Sequence, residues 1–568
     1  MAGGCHRHRR KTISAPNTTD YADNIQALVV VKTLPILRWP DYSDYQSAVA
    51  TFYDDRNDEV AWTRDGKPTA EATAFIAQFA GAAAKGLNPE DYDASRWAGR
   101  VQKLAGAGAA PRANDFAEFD VAMTVAVMRY ISDLRIGRVN PTHFNFDINV
   151  DAKKYVLAEF VSDEAVDAPD VPKLVAGVEP NSDQYRATEA ALGRYLELAK
   201  QQESSGAVAI ADVAKTVTVG EAYPEAAELL TRLQLEGDAP ADATVDHTYD
   251  AALAAGVKSF QHRHGIEESG KLTEQTVKSL NVPLSARVVQ LEDSLERWRW
   301  LPDQYVNAPL IVNLPEFVLR GFDENHGVQF RMKVVVGKVV GEHETPVFAH
   351  MMRYVVFRPY WNVPVDIARK ELAPHVAANK GYLAAHNFEV TDGKGKVLTN
   401  YTAKQVAQGG VLVREKPGPK NSLGLVKFMF PNQYDIYLHS TPATELFNRS
   451  RRDFSHGCIR VQAPDELGAW VLDGQDDKGP GGDKQPWDLE KVQAAMKDGA
   501  DSRTVLLKKP IPIVIFYVTG YVEDDGHTHF FDDLYGYDAQ LQEVLAKGMP
   551  YPTKPEPVVP KTPVGDTQ

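Results

Sequence analysis

Tyr434-Asp435-Ile436-Tyr437-Leu438-His439-Ser440-Thr441-Pro442 is the stretch on which the fold turns, paired with Ser455-His456-Gly457-Cys458-Ile459-Arg460 a short loop further on. The first run alternates as a half-buried strand does, and the second carries one of only two cysteines in 568 residues. The loop between them is polar and basic, with Arg449, Arg451 and Arg452. A strand, loop, strand hairpin would bring His439 to the Cys458 sulfur. His456, two residues before Cys458, shares its face if the chain there is extended.

A thiol with an ordinary pKa of about 8.5 is mostly protonated at neutral pH, so a nucleophilic cysteine needs a base or a cation beside it. His439 and His456 are the candidates. Gly457 leaves the backbone free to turn, which would let its N–H and that of Cys458 aim at a developing oxyanion. Two other readings stand beside this one. A lone cysteine can be an inert core residue. A His/Cys cluster can bind zinc, although the paired short spacings of a structural zinc site are missing.

The arrangement of His439 followed by Ser455-His456-Gly457-Cys458-Ile459-Arg460 resembles the signature of the YkuD-type L,D-transpeptidases, which cross-link bacterial peptidoglycan. Further segments from about Ala48 to Asp538 resemble the large, multidomain branch of that family. The resemblance implies Cys458 as nucleophile, His439 as base with the Ser440 carbonyl orienting it, and the N–H groups near Gly457 and Cys458 as oxyanion hole. It further implies that Ser455, His456 and Arg460 complete the pocket and that Tyr437 and Trp361 wall it. The reaction would be acyl transfer from a tetrapeptide stem through a thioester, expelling the terminal D-Ala and giving a 3→3 cross-link. No metal or organic cofactor is implied, and carbapenems would acylate Cys458. Arg449, Arg451, Arg452 and Arg460 are candidates to pair with stem carboxylates, the alternative being a solvated loop. Two rivals remain: hydrolysis of the same thioester, making an L,D-carboxypeptidase or endopeptidase, and a wall-binding protein whose catalytic fold is idle.

The formal net charge of −15 argues against a nucleic-acid partner, and no stretch approaches the ~20 apolar residues of a membrane-spanning helix. With Cys458 assigned to chemistry, Cys5 has no partner for a disulfide. Met1 to Lys11 is basic, and Thr12 to Asn24 is polar where a secretory apolar region would sit. A wall substrate nevertheless requires export, so the expected location is the periplasm or cell envelope.

At a soft prior of roughly 150 residues per domain the chain should hold three or four units. The reading is α+β and multidomain. Residues 1–43 form an N-terminal lead, disordered in part, and 44–205 a helical scaffold, with helices expected over Asp44–Trp62, Ala70–Gly86 and Phe116–Ile136. Gly206–Gly220 reads as a linker within a 206–285 unit whose three helices resemble the small peptidoglycan-binding module; His262 and His264 are read there as surface and helix-end residues. Residues 286–545 form a mainly-β catalytic domain opened by a polar-apolar helix, Ala286–Trp300, and followed by short β-branched and aromatic runs. Thr504–Leu507, Ile513–Val518 and Tyr521–Glu523 are expected as its closing strands. The 365–422 insertion, punctuated by Gly393, Gly395, Gly409-Gly410 and Pro417-Gly418-Pro419, reads as a lid or capping subdomain. Residues 546–568 are a Pro-rich tail.

Overall fold

The computed structural model describes residues 19–106, 112–206, 209–340, 343–478 and 484–553; Cys5 and most of the Pro-rich tail lie outside them. The chain divides into two compact units, one of residues Met1–Asn140, Val150–Asn181 and Gln542–Thr553, the other of Pro141–Asn149, Ser182–Leu541 and Lys554–Gln568.

The first unit is helical and is built around Ala113–Ile136, a helix buried on nearly every side. Its interior position brings polar groups inside, of which Asp120 is the most fully answered. Asp120 accepts the Ala61 and Trp62 N–H groups and the Tyr53 hydroxyl, each at 2.8 Å. Burial lifts its carboxyl to about 6, with those hydrogen bonds pulling the other way. Gln46–Asp54 and Ala70–Ala80 form where helices are expected, the second capped by the Thr69 hydroxyl on Ala72 N–H. The lead holds a helix, Thr19–Val30, that its polar composition did not announce: Ile25 and Val29 are buried at helical spacing.

In the second unit, helix Asp183–Ser205 packs along Leu284–Trp300. The latter is the expected polar-apolar helix, but its polar groups are buried as well as its apolar ones. Asp293, Glu296, Arg297 and Arg299 are all buried with Trp298 and Trp300. Arg297 is answered by Asp538 at 2.5 Å and Arg299 by the Tyr185 hydroxyl at 2.8 Å, partners far away in sequence. Helices Ala226–Glu236, Ala251–Arg263 and Glu274–Leu280 enclose a core of Leu229, Leu233, Leu253, Val257, Phe260 and Val277. The Gly206–Gly220 stretch is no free linker, because Ile210 and Val217 are buried in that core and Val217 bridges Leu272. His262 is exposed beside Glu268 at 2.9 Å, whereas His264 follows the helix end, buried and stacked on Phe260.

The mainly-β region holds a nine-stranded sheet. Its strands are β1 (Leu310–Asn313), β2 (Val318–Phe322), β3 (Val328–Gly337), β4 (Phe348–Phe357), β5 (Val426–Met429), β6 (Leu438–His439), β7 (Asp453–Ser455), β8 (Ile459–Val461) and β9 (Arg503–Phe516). They follow the order β7-β3-β8-β6-β5-β4-β9-β1-β2, and β2 pairs again with β3, so the sheet closes on itself. The expected closing strands differ. Thr504–Leu507 and Ile513–Val518 are parts of one strand, β9, which slips register between Leu506 and Ile511, where Lys508-Lys509-Pro510 breaks the apolar pattern. Tyr521 belongs to a separate pair, Gly520–Val522 with Thr528–Phe530.

The insertion has its own antiparallel sheet, ordered Trp361–Asn362, Leu412–Glu415, Phe388–Thr391, Val397–Leu398. It also has its own core, drawn from Val363, Leu372, Val376, Leu383, Val390, Val406 and Val413.

Candidate active site

Three adjacent strands carry the site. In β5, Val426 and Phe428 are buried in the core while Lys427 and Met429 are half-buried on the other face. The same alternation in β6 and β8 buries Leu438, Ile459 and Val461. Register then settles which side chains meet. Lys427 pairs with His439 across antiparallel β5 and β6, and His439 pairs with Arg460 across β6 and β8, which run parallel and so do not form the expected hairpin. A cation, an imidazole and a second cation therefore stand in one row. Two residues back along β6 and β8, on the same face, stand Tyr437 and Cys458. All five line a cleft of about 1380 Å³, whose other wall is the insertion together with the Trp361-Asn362-Val363-Pro364 segment that leads into it.

His439 is buried, and its Nδ1 lies 2.5 Å from the Ser440 carbonyl oxygen. A carbonyl only accepts, so the proton belongs on Nδ1 and the lone pair on Nε2. Burial drives the imidazole pKa down to about 3, helped by the Arg460 and Lys427 charges and opposed by the Ser440 and Leu423 carbonyls. Ser440 itself sits against Gly424: a Cβ there would come within 2.6 Å of the Ser440 Cβ, and Gly424 has φ +61°.

Cys458 is half-buried, with Sγ 3.7 Å from the Asp435 carbonyl. Burial pushes its thiol up to about 11, against hydrogen bonding from Tyr437 and the Lys427 charge. Thiol and imidazole are thus both neutral at pH 7. The cysteine does not rest as a thiolate, as a nucleophile activated by a permanent cation would.

The turn that presents Cys458 is held from behind. Ser455 is buried; its hydroxyl donates to the Cys458 carbonyl at 2.6 Å and accepts the Gly457 N–H at 3.1 Å. The Gly457 carbonyl accepts the Thr345 hydroxyl at 2.7 Å, and Gly457 adopts φ +115°, which a side chain would strain. The Gly457 N–H is therefore occupied, and the expected pair of oxyanion donors reduces to the Cys458 N–H. Ser455 braces the turn through the same bonds.

His456 points toward the insertion, with Nε2 2.8 Å from the Glu371 carboxylate and its ring edge-on to His343. Tyr437 stands edge-on to His439, and Trp361 lies half-buried in the insertion wall, in register with Glu415. Arg460 faces the cleft, but the loop arginines do not. Arg451 pairs with Asp453, and Arg452 is buried, donating to the carbonyls of Val334, Arg449, Ser450 and Phe317. Arg449 and Arg452 line a different hollow, with Glu316 and Gln462. Lys427, Gly424, Asp435 and Glu371 were missed from the sequence. Of these only Lys427 left a signal, as the lone charge on the outward parity of an apolar strand.

Family comparison adds three domains in chain order: a scaffold domain over 47–192, a "Putative peptidoglycan binding domain" over 220–280 and an L,D-transpeptidase catalytic domain of the YkuD family over 308–484. A curated relative from Haemophilus influenzae, described as "Putative L,D-transpeptidase", is 28% identical over 278 residues, which cover 48% of this chain and 53% of that protein. The chain thus spans about half the length of the curated relative it matches. Among solved structures, an L,D-transpeptidase (Yku) from Stackebrandtia nassauensis aligns over 54% of this chain and 97% of its own at 13% identity and a TM-score of 0.20. A fused Zn-dependent amidase/peptidase/peptidoglycan-binding protein from Clostridium acetobutylicum aligns over 53% and 99% at 11% identity and a TM-score of 0.15. Neither structural score carries an argument. From its domains, the chain carries a YkuD-family L,D-transpeptidase catalytic domain, C-terminal to a scaffold domain and a peptidoglycan-binding domain.

Proposed function

We propose that the protein is a cysteine acyltransferase of the cell envelope that forms 3→3 cross-links between peptidoglycan stems. The observation that carries this reading is the placement of His439 and Cys458 on neighbouring strands, facing one cleft, with the imidazole neutral and its tautomer set by Ser440.

The chemistry follows from the two neutral groups. As the thiol approaches the carbonyl at the L-centre of the donor's diaminopimelate, its proton passes to His439 Nε2 and sulfur forms the new bond to carbon. The oxyanion takes the Cys458 N–H. Collapse breaks the amide bond; the imidazolium returns its proton to the departing D-Ala amine, and a thioester remains on Cys458. The side-chain amine of a second stem then attacks that thioester, loses a proton to His439, and leaves with the acyl group as Cys458 recovers its thiol. Every proton that His439 takes is given back, and the cycle needs no metal or redox partner. Tyr437 and Trp361 border the bound stem, and His456 shapes the mouth through Glu371. The 206–285 module would raise the local concentration of wall polymer. Carbapenems, as strained acyl donors, would trap the same sulfur.

The test is muropeptide chromatography of purified full-length protein on tetrapeptide-rich wall. Cross-linked dimers that vanish with Cys458→Ala are expected. Shortened monomers alone would move the assignment to hydrolysis, and wall binding without any product would move it to a non-catalytic role.

A further inference from the structure

The row that holds His439 has more positive charge than its chemistry needs. Lys427 and Arg460 flank the imidazole on either side, one strand spacing away each, or about 4.8 Å. Both face the cleft. Among the described residues neither makes an ion pair, and the Arg460 Nε is buried without a hydrogen-bond partner. Arg460 and Lys427 would both feel the Cys458 sulfur were it ionised, and Arg460 has the Glu445 carboxylate nearby as well. The Lys427 ammonium lies 5.3 Å from the centre of the Tyr437 ring, which keeps it on the cleft floor beside the sulfur. Half-buried cations without anions cost desolvation energy, and a ligand carboxylate relieves that cost.

We propose that Lys427 is a specificity residue that binds the free α-carboxylate of the leaving amino acid, with Arg460 closing the opposite side of the row. This inference rests on the acyl-transfer reading above and names its carboxylate contact. The geometry follows from the leaving group. His439 must deliver its proton to the departing amine, which puts that nitrogen over the middle of the row. The α-carboxylate carbon is two bonds from the nitrogen, so it reaches the neighbouring position, where a cation waits. A donor ending in a free carboxylate would be held, and one ending in an amide would not.

Two measurements test this. In the first, acylation of Cys458 is followed by intact mass with a tetrapeptide stem ending in D-Ala as the free acid and with the same stem ending in D-alaninamide. Wild type should prefer the acid by about 10- to 100-fold, the range of one charge-assisted hydrogen bond. Lys427→Met should lose that preference, on top of any change common to both donors from removing its charge beside His439 and Cys458, and Lys427→Arg should keep most of it. Equal losses on both donors, or no loss on either, would overturn the assignment. The second measurement does not need the acyl-transfer reading: alkylation of Cys458 at pH 8 by iodoacetate and by iodoacetamide. Lys427→Met should lower the iodoacetate-to-iodoacetamide rate ratio by about tenfold, a single carboxylate contact being at stake. A ratio that does not change would refute a carboxylate site at Lys427. A wild type alkylated with the expected ratio yet never acylated by either stem would instead refute the acyl-transfer reading and leave the anion site standing.

Discussion

The two walls of the cleft are built differently. The floor is three adjacent strands of a closed sheet, and its reacting groups are set by ladder pairing: His439 opposite Arg460, with Cys458 two residues back. The insertion wall has a smaller core of its own and a separate sheet, and it meets the floor where Glu371 accepts a hydrogen bond from His456 and at an aromatic edge, Trp361. Strand pairing fixes atoms to fractions of an ångström, which proton transfer to an imidazole needs. A separately cored subdomain can shift as a body, which a site that must admit two branched stems and still exclude water needs. On the proposed function, the contrast would leave the chemistry to the sheet and access to the insertion.

That division can be broken most severely on the floor. Cys458→Ala should remove all covalent adducts with carbapenem and with stem donor, and an adduct mass on the variant would place the nucleophile elsewhere. The free thiol gives the next largest effect. A pKa pushed up to about 11 means that thiolate is lost as pH falls, so alkylation of the free protein by iodoacetamide should rise about tenfold per unit from pH 7 toward 11, about 10⁴-fold in all. A plateau reached near pH 7 would show a resting thiolate. His439→Ala should slow acylation by about 10²- to 10⁴-fold, as for loss of a positioned base. His456→Ala should cost less, because His456 touches the insertion rather than the row; the reverse order in single-turnover kinetics would exchange their roles.

Changes in the insertion should be smaller and different in kind. Leu383→Ala, at a fully buried position of the insertion core, should destabilise that subdomain by about 2–5 kcal/mol. Product should then shift from dimer toward hydrolysed stem, with the acylation rate little changed; an unchanged ratio in a folded variant would make the insertion simple packing. Glu371→Gln keeps a hydrogen bond but removes its charge, and should alter the transfer-to-hydrolysis ratio by less than about tenfold, the scale of one partly exposed ion pair.

Legibility followed the same division. The helices at Ala70 and Phe116 were visible in the sequence, because each depends on neighbours a few residues away, but the alternation of Tyr434–Leu438 and the even step from His456 to Cys458 misled: the strand is only Leu438–His439, after a turn and Asp435 at φ +54°, and the chain bends at His456-Gly457. Lys427 was not visible as part of the site, since its partner His439 is twelve positions on and only strand register joins them. The loop arginines misled for the opposite reason: their composition suits an anion, yet Arg452 is turned inward onto backbone carbonyls. The burial of the Leu284–Trp300 helix was hidden likewise, because the Asp538 carboxylate that pairs with Arg297 and the Tyr185 hydroxyl that accepts from Arg299 come from remote parts of the chain.

The sequence by itself determined the residue types at the proposed reaction centre, the order of the three regions, and the β character of the catalytic one, since local periodicity and short motifs are written in neighbouring residues. Tertiary structure alone decided that Cys458 rests as a neutral thiol, that the Gly457 N–H is already taken by Ser455, and that Lys427 and Arg460 flank His439. The physical reason is that pKa, hydrogen-bond occupancy and charge pairing depend on burial and on distances through space, and strands far apart in the chain set both.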